Sequence, residues 1–104
     1  MYLNDYNLPM YTVLRSSLFD TWLSNLRDGR AHARIASRIK TVQRGLLGDY
    51  KSLGGGLFEL RIDYGPGYRV YFTRKEDVII LLLIGGDKSS QKRDIARARA
   101  MMEE

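Results

Sequence analysis

Residues 57–86 alternate apolar and polar side chains in the pattern of two consecutive antiparallel β-hairpins. The first hairpin joins the segments FELRIDY and GYRVYF, and its turn is predicted at Gly65-Pro66-Gly67. The second turn is predicted at Lys75-Glu76-Asp77, and the strand after it, from Val78 to Ile84, is apolar at every position. Because a fully apolar strand is covered on both sides, the pattern predicts a sheet with helices packed against it.

The residues that face each other across the first hairpin follow from its turn. If Tyr64 faces Tyr68, counting outward along both strands separates an apolar face from a polar one. The apolar pairs are Ile62–Val70 and Leu60–Phe72, and the polar pairs are Asp63–Arg69 and Arg61–Tyr71. We therefore expect one face to belong to the core and the other to carry chemistry.

Amphipathic periodicity predicts a short strand and two helices before this sheet. The strand spans residues 11–15 (YTVLR). Ser17, with Asp20 three residues later, has the spacing of a capping box and predicts a helix that ends near Asp28-Gly29. A second helix is predicted from Arg30 to Arg44.

Two glycine-containing segments are predicted as connections. GDYKSLGG, which carries Lys51, is predicted as a flexible loop because no Gly-Lys-Ser/Thr of a phosphate-binding loop follows its glycines. Gly85-Gly86 leads through Lys88 into a last helix that is capped by Ser89 or Ser90. This second segment indicates either an anion pocket at a helix N-terminus or an ordinary strand-to-helix turn.

The predicted elements form one domain. Residues 1–9 show no periodicity and are predicted as an N-terminal extension, whereas residues 10–104 contain one strand, two helices, three strands and a helix. A chain of 104 residues suffices for a single modest core.

Composition narrows the function classes. The chain has no cysteine and one histidine, so thiolate chemistry and metal sites built on cysteine or histidine pairs are excluded. The longest apolar run has seven residues, far short of the roughly 20 that span a membrane. A formal charge of +5 favours an acidic partner such as nucleic acid or an acidic protein. We therefore expect no metal and no cofactor, and chemistry at phosphate that uses cations and tyrosine.

Basic residues are concentrated between residues 27 and 51, a segment that contains seven basic and two acidic residues. Arg30, Arg34 and Arg38 recur every four residues along the second predicted helix, which indicates either an RNA-binding face or a solvated one. Together with Arg44, they are the predicted RNA-binding residues.

A second set of cations is predicted on the polar face of the hairpin and in the segments beside it. The predicted catalytic cluster is Lys51, Arg61, Arg69, Tyr71 and Lys88. Such a cluster can bind an RNA backbone and stabilise the charge that develops on a phosphate under attack by a ribose 2′-hydroxyl. The alternative is that Arg61 and Arg69 only pair with Glu59 and Asp63 across the strands.

Three segments of the chain resemble a known family: WLSNLRDGRAHARIASRI, GDYKSLGGGLFELRIDYGPGYRVYF and LLLIGGDKSSQKRDIARA. They are similar to the HigB-like, phage-derived addiction-module killer proteins of the RelE/ParE toxin superfamily. The resemblance covers about residues 11–102. It implies an α+β fold of order β-α-α-β-β-β-α, with a small, mainly antiparallel twisted sheet flanked by helices.

The resemblance also implies a function and partners. Many relatives are cytoplasmic, metal-independent, ribosome-dependent endoribonucleases that cut mRNA, and each is neutralised by an antitoxin, here expected to be a helix-turn-helix protein. One branch poisons DNA gyrase instead. The sequence thus leaves three readings open, namely an mRNA endoribonuclease, a gyrase-directed toxin and a non-catalytic remnant that binds its antitoxin.

Individual residues match positions of the family pattern. Arg69 in GYRVYF matches an arginine that contacts the scissile phosphate, and Lys88 in GGDKSS matches a second catalytic cation. Lys51 lies in a segment from which relatives supply basic groups. Relatives carry a tyrosine or histidine in the C-terminal segment, whereas this chain has Asp94 at the approximate place. The candidates for the acid and base are Tyr71 first, followed by Glu59 and Lys51.

Overall fold

The computed structural model describes residues 10–76 and 78–104, in which the chain forms five strands and three α-helices. The strands are β1 (Thr12–Arg15), β2 (Tyr50–Gly54), β3 (Leu57–Ile62), β4 (Tyr68–Lys75) and β5 (Ile79–Asp87); the helices are α1 (Ser17–Ser24), α2 (Gly29–Gln43) and α3 (Gln91–Met102), with a 3-10 turn at Lys88–Ser90. The predicted α+β class is confirmed. The N-terminal extension predicted for residues 1–9 lies outside the described residues.

One mixed sheet contains all five strands, in the order β1-β5-β4-β3-β2. Neighbouring strands are antiparallel except β1 and β5, which run parallel with Val13 opposite Ile80. This parallel pair joins the first and the last of the strands in the described residues. No helix in the described part of the chain is long and apolar enough to cross a membrane.

The register of the β3–β4 hairpin differs from the prediction by two residues. Ile62 lies opposite Tyr68, and Arg61 lies opposite Arg69. The strands do not extend to Tyr64, because the turn there is closed by a hydrogen bond from the Gly67 amide to the Tyr64 carbonyl, 3.1 Å long. A shift of two residues keeps every side chain on its predicted face. Its consequence is that the two arginines face each other directly.

The segment around Lys51 is a strand, so the prediction of a flexible loop is wrong. β2 pairs antiparallel with β3, and Lys51 lies opposite Glu59 at the edge of the sheet. The connection between the strands uses consecutive glycines with left-handed backbones, at φ 63° for Gly55 and 86° for Gly56. These glycines allow a tight reversal that side-chain-bearing residues adopt only with strain.

The helix starts fall close to the predicted positions. Ser16, not Ser17, caps α1 by accepting a 3.0 Å hydrogen bond from the Phe19 amide. Asp28 caps α2, because its carboxylate accepts from the amide of Arg30 at 2.9 Å. α1 ends at Ser24, four residues before the predicted end near Asp28.

Apolar cores lie on both faces of the sheet. α1 and α2 cover one face, and the buried residues there include Phe19, Leu23, Ile35, Ile39, Val42, Leu60, Val70, Phe72, Ile80 and Leu82. α3 covers part of the other face, and the buried residues there are Leu57, Tyr71, Leu83, Ile84 and Ala98. Since β5 contributes to both cores, the prediction that it is covered on both sides is confirmed.

Gly85 and Gly86 belong to β5, and their lack of a side chain is required by packing. A Cβ atom on Gly85 would overlap the indole of Trp22, and one on Gly86 would overlap the carboxylate of Asp94. The prediction of a glycine loop at this place is therefore wrong. Large groups from α1 and α3 approach the β5 backbone from opposite sides.

Candidate functional site

Three of the predicted cations meet at an open cavity of about 350 Å³ at one end of the sheet. Arg61 comes from β3, Arg69 from β4 and Lys88 from the 3-10 turn. The full lining is Asp49, Arg61, Asp63, Gly65, Pro66, Gly67, Arg69 and Lys88. The structure thus brings together cations from three separate segments of the chain.

Gly67 is the residue around which Arg69 and Lys88 come close. A Cβ atom on Gly67 would lie 3.6 Å from Arg69 Nη1 and 3.6 Å from Lys88 Cβ. Its backbone is left-handed, with φ 82°, a conformation that favours glycine. Arg69 and the side-chain stem of Lys88 therefore both approach the β3–β4 loop, which lines the cavity.

A buried carboxylate lies behind the two arginines. Glu59 is 2% exposed, and its Oε1 atom lies 3.4 Å from Arg61 Nε and 3.8 Å from Arg69 Nε. The other oxygen, Oε2, accepts a 2.7 Å hydrogen bond from Gln91 Nε2. The ion pairing with Glu59 considered from the sequence is therefore present, although both arginines also line the cavity. Among the described residues, neither arginine forms an ion pair with Asp63.

Tyr71 lies beneath the cavity and is fully buried, so the prediction that it is exposed on a polar face is wrong. Its ring is enclosed by the second core, with Leu57, Leu83 and Ala98. Burial and the negative charge of Glu59 raise the pKa of the phenol. In the described residues its hydroxyl has no hydrogen-bond partner. A phenol in this environment stays neutral and is out of reach of a substrate.

Lys51 is exposed and lies outside the lining of the cavity. Because cross-strand partners share a face, its position opposite Glu59 puts it on the same face of the sheet as Arg61 and Arg69. Lys51 therefore extends the cationic face toward the β2 edge.

The predicted RNA-binding arginines on and just after α2 differ in their exposure to solvent. Arg30, Arg34 and Arg44 are exposed, and the guanidinium of Arg34 lies 4.6 Å from the centre of the Tyr64 ring. A second open cavity, of about 260 Å³, is lined by Arg34, Ser37, Arg38, Ile62 and Asp63. Asp63 lines both cavities, so the exposed part of α2 adjoins the cluster of Arg61, Arg69 and Lys88.

Arg38 points inward, and the expectation that it faces RNA does not fit its contacts. Its guanidinium donates to the carbonyl oxygens of Arg61, of Leu47 at 2.8 Å and of Asp49 at 3.3 Å. Burial lowers the pKa of Arg38, and the nearby charge of Asp49 opposes that effect. Arg38 therefore fixes the segment that enters β2 against the end of β3.

The anion pocket considered at the start of α3 is filled by the chain's own carboxylates. Asp87 accepts a 2.8 Å hydrogen bond from the Ser89 amide, and hydrogen bonds from Ser89 lower the pKa of this carboxyl. Asp94 is 2% exposed and accepts a hydrogen bond from the Ser90 hydroxyl. Two negative groups at this turn disfavour a further anion there. Lys88, by contrast, is exposed on the cavity side.

The cavity can bind an anionic oxygen, because two arginines and a lysine from three segments of the chain line it. Two exposed carboxylates, Asp49 and Asp63, line the same cavity and limit its positive charge. Across residues 10–76 and 78–104, no three His, Cys, Asp or Glu side chains are grouped as metal ligands.

Gln91 is the site residue that sequence reasoning missed. It is the first residue of α3, and its side chain donates a hydrogen bond to Glu59, the ion-pair partner of both arginines. Neither periodicity nor a motif distinguishes it from any other polar residue at a helix start. Only the packing of α3 on the sheet brings it to the carboxylate.

Comparisons with known proteins agree with this architecture. The sequence profile of the family described as "Phage derived protein Gp49-like (DUF891)" matches residues 21–103. An uncharacterised protein of Haemophilus influenzae is 52% identical over 86 residues, which cover 83% of this chain and 87% of that protein. A mutant of the E. coli toxin RelE, solved in the free state, has a TM-score of 0.71 at 10% sequence identity, over 88% of this chain and 97% of its own.

The two kinds of match answer different questions. The likeness to RelE concerns the fold, because the sequence identity is low, and it supports the predicted RelE/ParE-type architecture of a mixed sheet with flanking helices. The family match covers most of the sequence, including the cavity residues Arg61, Arg69 and Lys88. The chain therefore belongs to the phage-derived Gp49-like family and has the fold of the toxin RelE.

Proposed function

We propose that this protein is the toxin of a type II toxin-antitoxin system and acts as a metal-independent mRNA endoribonuclease on the translating ribosome. The observation that carries the proposal is the convergence of Arg61, Arg69 and Lys88 around one open cavity. The HigB-like resemblance of the sequence and the RelE fold support the same reading. In this proposal the toxin works in the cytoplasm, and a helix-turn-helix antitoxin neutralises it.

The proposed reaction uses the RNA, these side chains and solvent water. The ribose 2′-hydroxyl gives up its proton to a water molecule and attacks the adjacent phosphorus, the bond from phosphorus to the 5′ oxygen breaks, and a 2′,3′-cyclic phosphate and a 5′-hydroxyl form. We assign Arg69, with Arg61 beside it, to the non-bridging oxygens, where negative charge accumulates in the transition state. We assign Lys88 to the 5′ oxygen, which must gain a proton as it leaves.

Two further basic groups extend the proposed RNA surface. Lys51 continues the cationic face toward β2, and its amine is the exposed member of the acid and base candidates. Arg30, Arg34 and Arg44 are exposed on and after α2 and are proposed to contact ribosomal RNA phosphates. Contacts of this kind make binding fall steeply as the salt concentration rises. Arg38 is left out of this surface because backbone carbonyls occupy its guanidinium.

Expression of the chain from an inducible promoter, followed by mapping of transcript 5′ ends, tests the proposal. We expect growth arrest with new 5′ ends inside coding regions, and recovery when the helix-turn-helix protein encoded beside the toxin gene is expressed as well. The Arg69→Ala variant, expressed at the same level, should give neither arrest nor new ends.

The alternatives predict different results in the same experiment. Growth arrest with intact mRNA would contradict the nuclease proposal, and an accompanying DNA-damage response would indicate a gyrase-directed toxin. The absence of any growth effect from the wild-type chain would indicate a protein that only binds its antitoxin.

A further inference from the structure

Glu59 is a charged group that is almost completely withdrawn from water. It is 2% exposed in the middle of β3, where an ionised carboxylate is costly unless cations and hydrogen bonds compensate it. Both forms of compensation are present. The Nε atoms of Arg61 and Arg69 lie 3.4 and 3.8 Å from one oxygen, and Gln91 donates a 2.7 Å hydrogen bond to the other.

The register of the sheet explains why a carboxylate is needed at this place. Arg61 and Arg69 are direct cross-strand partners, and two like charges at opposed positions repel each other. Glu59 lies two residues from Arg61 on β3 and diagonally across from Arg69 on β4. Its charge therefore lowers the repulsion that would otherwise drive the two guanidiniums apart.

The contacts also set the direction in which the guanidiniums point. In both ion pairs the close contact is made through Nε, the nitrogen nearest the side-chain stem. Because these contacts are at Nε, the terminal nitrogens of both arginines lie farther from the carboxylate, and both arginines line the cavity. One terminal nitrogen of Arg69, Nη1, donates a 3.3 Å hydrogen bond to the Tyr68 carbonyl. Arg69 is 14% exposed and Arg61 is 36% exposed, so both keep a surface toward solvent.

Gln91 makes this arrangement dependent on α3. It is the first residue of that helix, half-buried, and it fixes the second oxygen of Glu59. The orientation of Glu59 therefore follows the docking of α3 against the sheet, although α3 itself contributes no cation to the cavity lining.

We propose that Glu59 is a positioning residue, which Gln91 orients and which holds Arg61 and Arg69 so that both guanidiniums meet one phosphate. This inference rests on the proposed function. It gives Glu59 a role other than acid or base, since a carboxylate buried behind the arginines does not touch the substrate. The charge of Glu59 does the positioning, and the hydrogen bond with Gln91 fixes the carboxylate.

A charge-removing variant and a swapped variant separate these two effects. Glu59→Gln keeps the size of the side chain and removes its charge. In the double variant Glu59→Gln/Gln91→Glu, the new amide donates to the new carboxylate, so a charged hydrogen bond is kept while the charge moves away from the arginines. Glu103→Gln is the matched control, because Glu103 is exposed beyond the end of α3.

The measurement is single-turnover cleavage of a defined mRNA on purified ribosomes, together with the thermal unfolding midpoint. For Glu59→Gln we expect the maximal rate constant of cleavage to fall by about 10- to 100-fold, as for misplaced catalytic groups, with the half-saturating concentration changed by less than about threefold. The swapped variant should regain part of the midpoint lost in Glu59→Gln but not the rate, and Glu103→Gln should match the wild type in both. Wild-type cleavage by Glu59→Gln, or recovery of the rate in the swapped variant, would overturn the proposal.

A second readout does not depend on RNA cleavage. The side-chain Nε–H resonances of Arg61 and Arg69 report whether each guanidinium is held in one orientation. We expect distinct, slowly exchanging signals in the wild type and averaged signals in Glu59→Gln. If the wild-type chain does not cleave RNA, the proposed function fails, and these resonances still decide whether Glu59 orients the arginines. Unchanged resonances in Glu59→Gln would refute that role.

Discussion

Replacement of Arg69 by alanine separates a catalytic contribution from a structural one. The change removes one cation from the cavity and one of the ion-pair partners of Glu59. Arg61 at 3.4 Å and the 2.7 Å hydrogen bond from Gln91 still compensate the buried carboxylate. The variant is therefore expected to fold.

The expected sizes of the two effects differ. The lost ion pair is 3.8 Å long and Glu59 keeps a second cation, so the free energy of unfolding should fall by about 1–2 kcal/mol, between the values for surface and buried pairs. Loss of one group that stabilises the transition state should lower the cleavage rate by about 10²–10³-fold, or roughly 2.7–4 kcal/mol. The catalytic effect should thus clearly exceed the structural one.

The assay compares single-turnover mRNA cleavage on ribosomes with urea-induced unfolding for the same preparations. Arg97→Ala is the matched control, since Arg97 is exposed on α3 and does not line the cavity. A folded Arg69→Ala variant that cleaves within tenfold of the wild-type rate would refute the assignment of Arg69 to the phosphate. A rate loss accompanied by collapse of the fold would show that the arginine is structural.

Three further predictions concern the stability of the fold around the cavity. Gly86→Ala should lower the free energy of unfolding by about 1–3 kcal/mol, because the buried Asp94 carboxylate that contacts this glycine must move. Gly29→Ala is the control, since the space around Gly29 is open and the change should not destabilise the fold. Urea-induced unfolding measures both. Arg38→Ala should lower the free energy of unfolding by about 2–3 kcal/mol, because it removes charged hydrogen bonds to backbone carbonyls. Arg30→Ala, at an exposed position, should change it little. Equal effects of the two variants would refute the inward role of Arg38. The pKa of the Asp87 carboxyl is lowered in the folded state, so its stabilising contribution is present above pH 3.8 and is lost as the pH falls through its folded value. The Asp87→Asn variant should accordingly be less stable than the wild type at pH 7, with a difference that shrinks below about pH 4; a difference independent of pH would contradict the assignment.

The sequence predicted the faces of the β3–β4 hairpin better than its register. Alternation of side chains assigns Arg61 and Arg69 to one face whatever the turn, because a two-residue shift conserves the face. The turn sequence Gly-Pro-Gly does not reveal that Asp63 and Tyr64 also belong to the loop. The direct opposition of the two arginines, on which the role of Glu59 depends, therefore appears only in the structure.

Errors in the sequence interpretation occur where packing overrides local propensity. The segment of β2 contains few strand-forming residues and becomes a strand because β3 offers it a paired edge. Gly86 has the local character of a loop residue but lies in β5. Glycine is required there because the carboxylate of Asp94 occupies the space that a side chain would fill. Tyr71 occupies a position that alternation assigns to the polar face, and it is buried by α3. The periodicity of that helix predicts which of its residues face inward but not which face of the sheet they cover.

The parallel pairing of β1 with β5 has a consequence for synthesis of the chain. β1 lies at the edge of the sheet with β5 as its neighbour, and Ser16 at its end donates to the carbonyl of Leu83, 67 residues later. Contacts between distant parts of a chain close large loops and form slowly. While the nascent polypeptide is still being extended, its first strand has no partner, so the sheet that carries the arginines is completed only after β5 has been translated. The folded protein therefore forms only after the ribosome that synthesises it has translated β5.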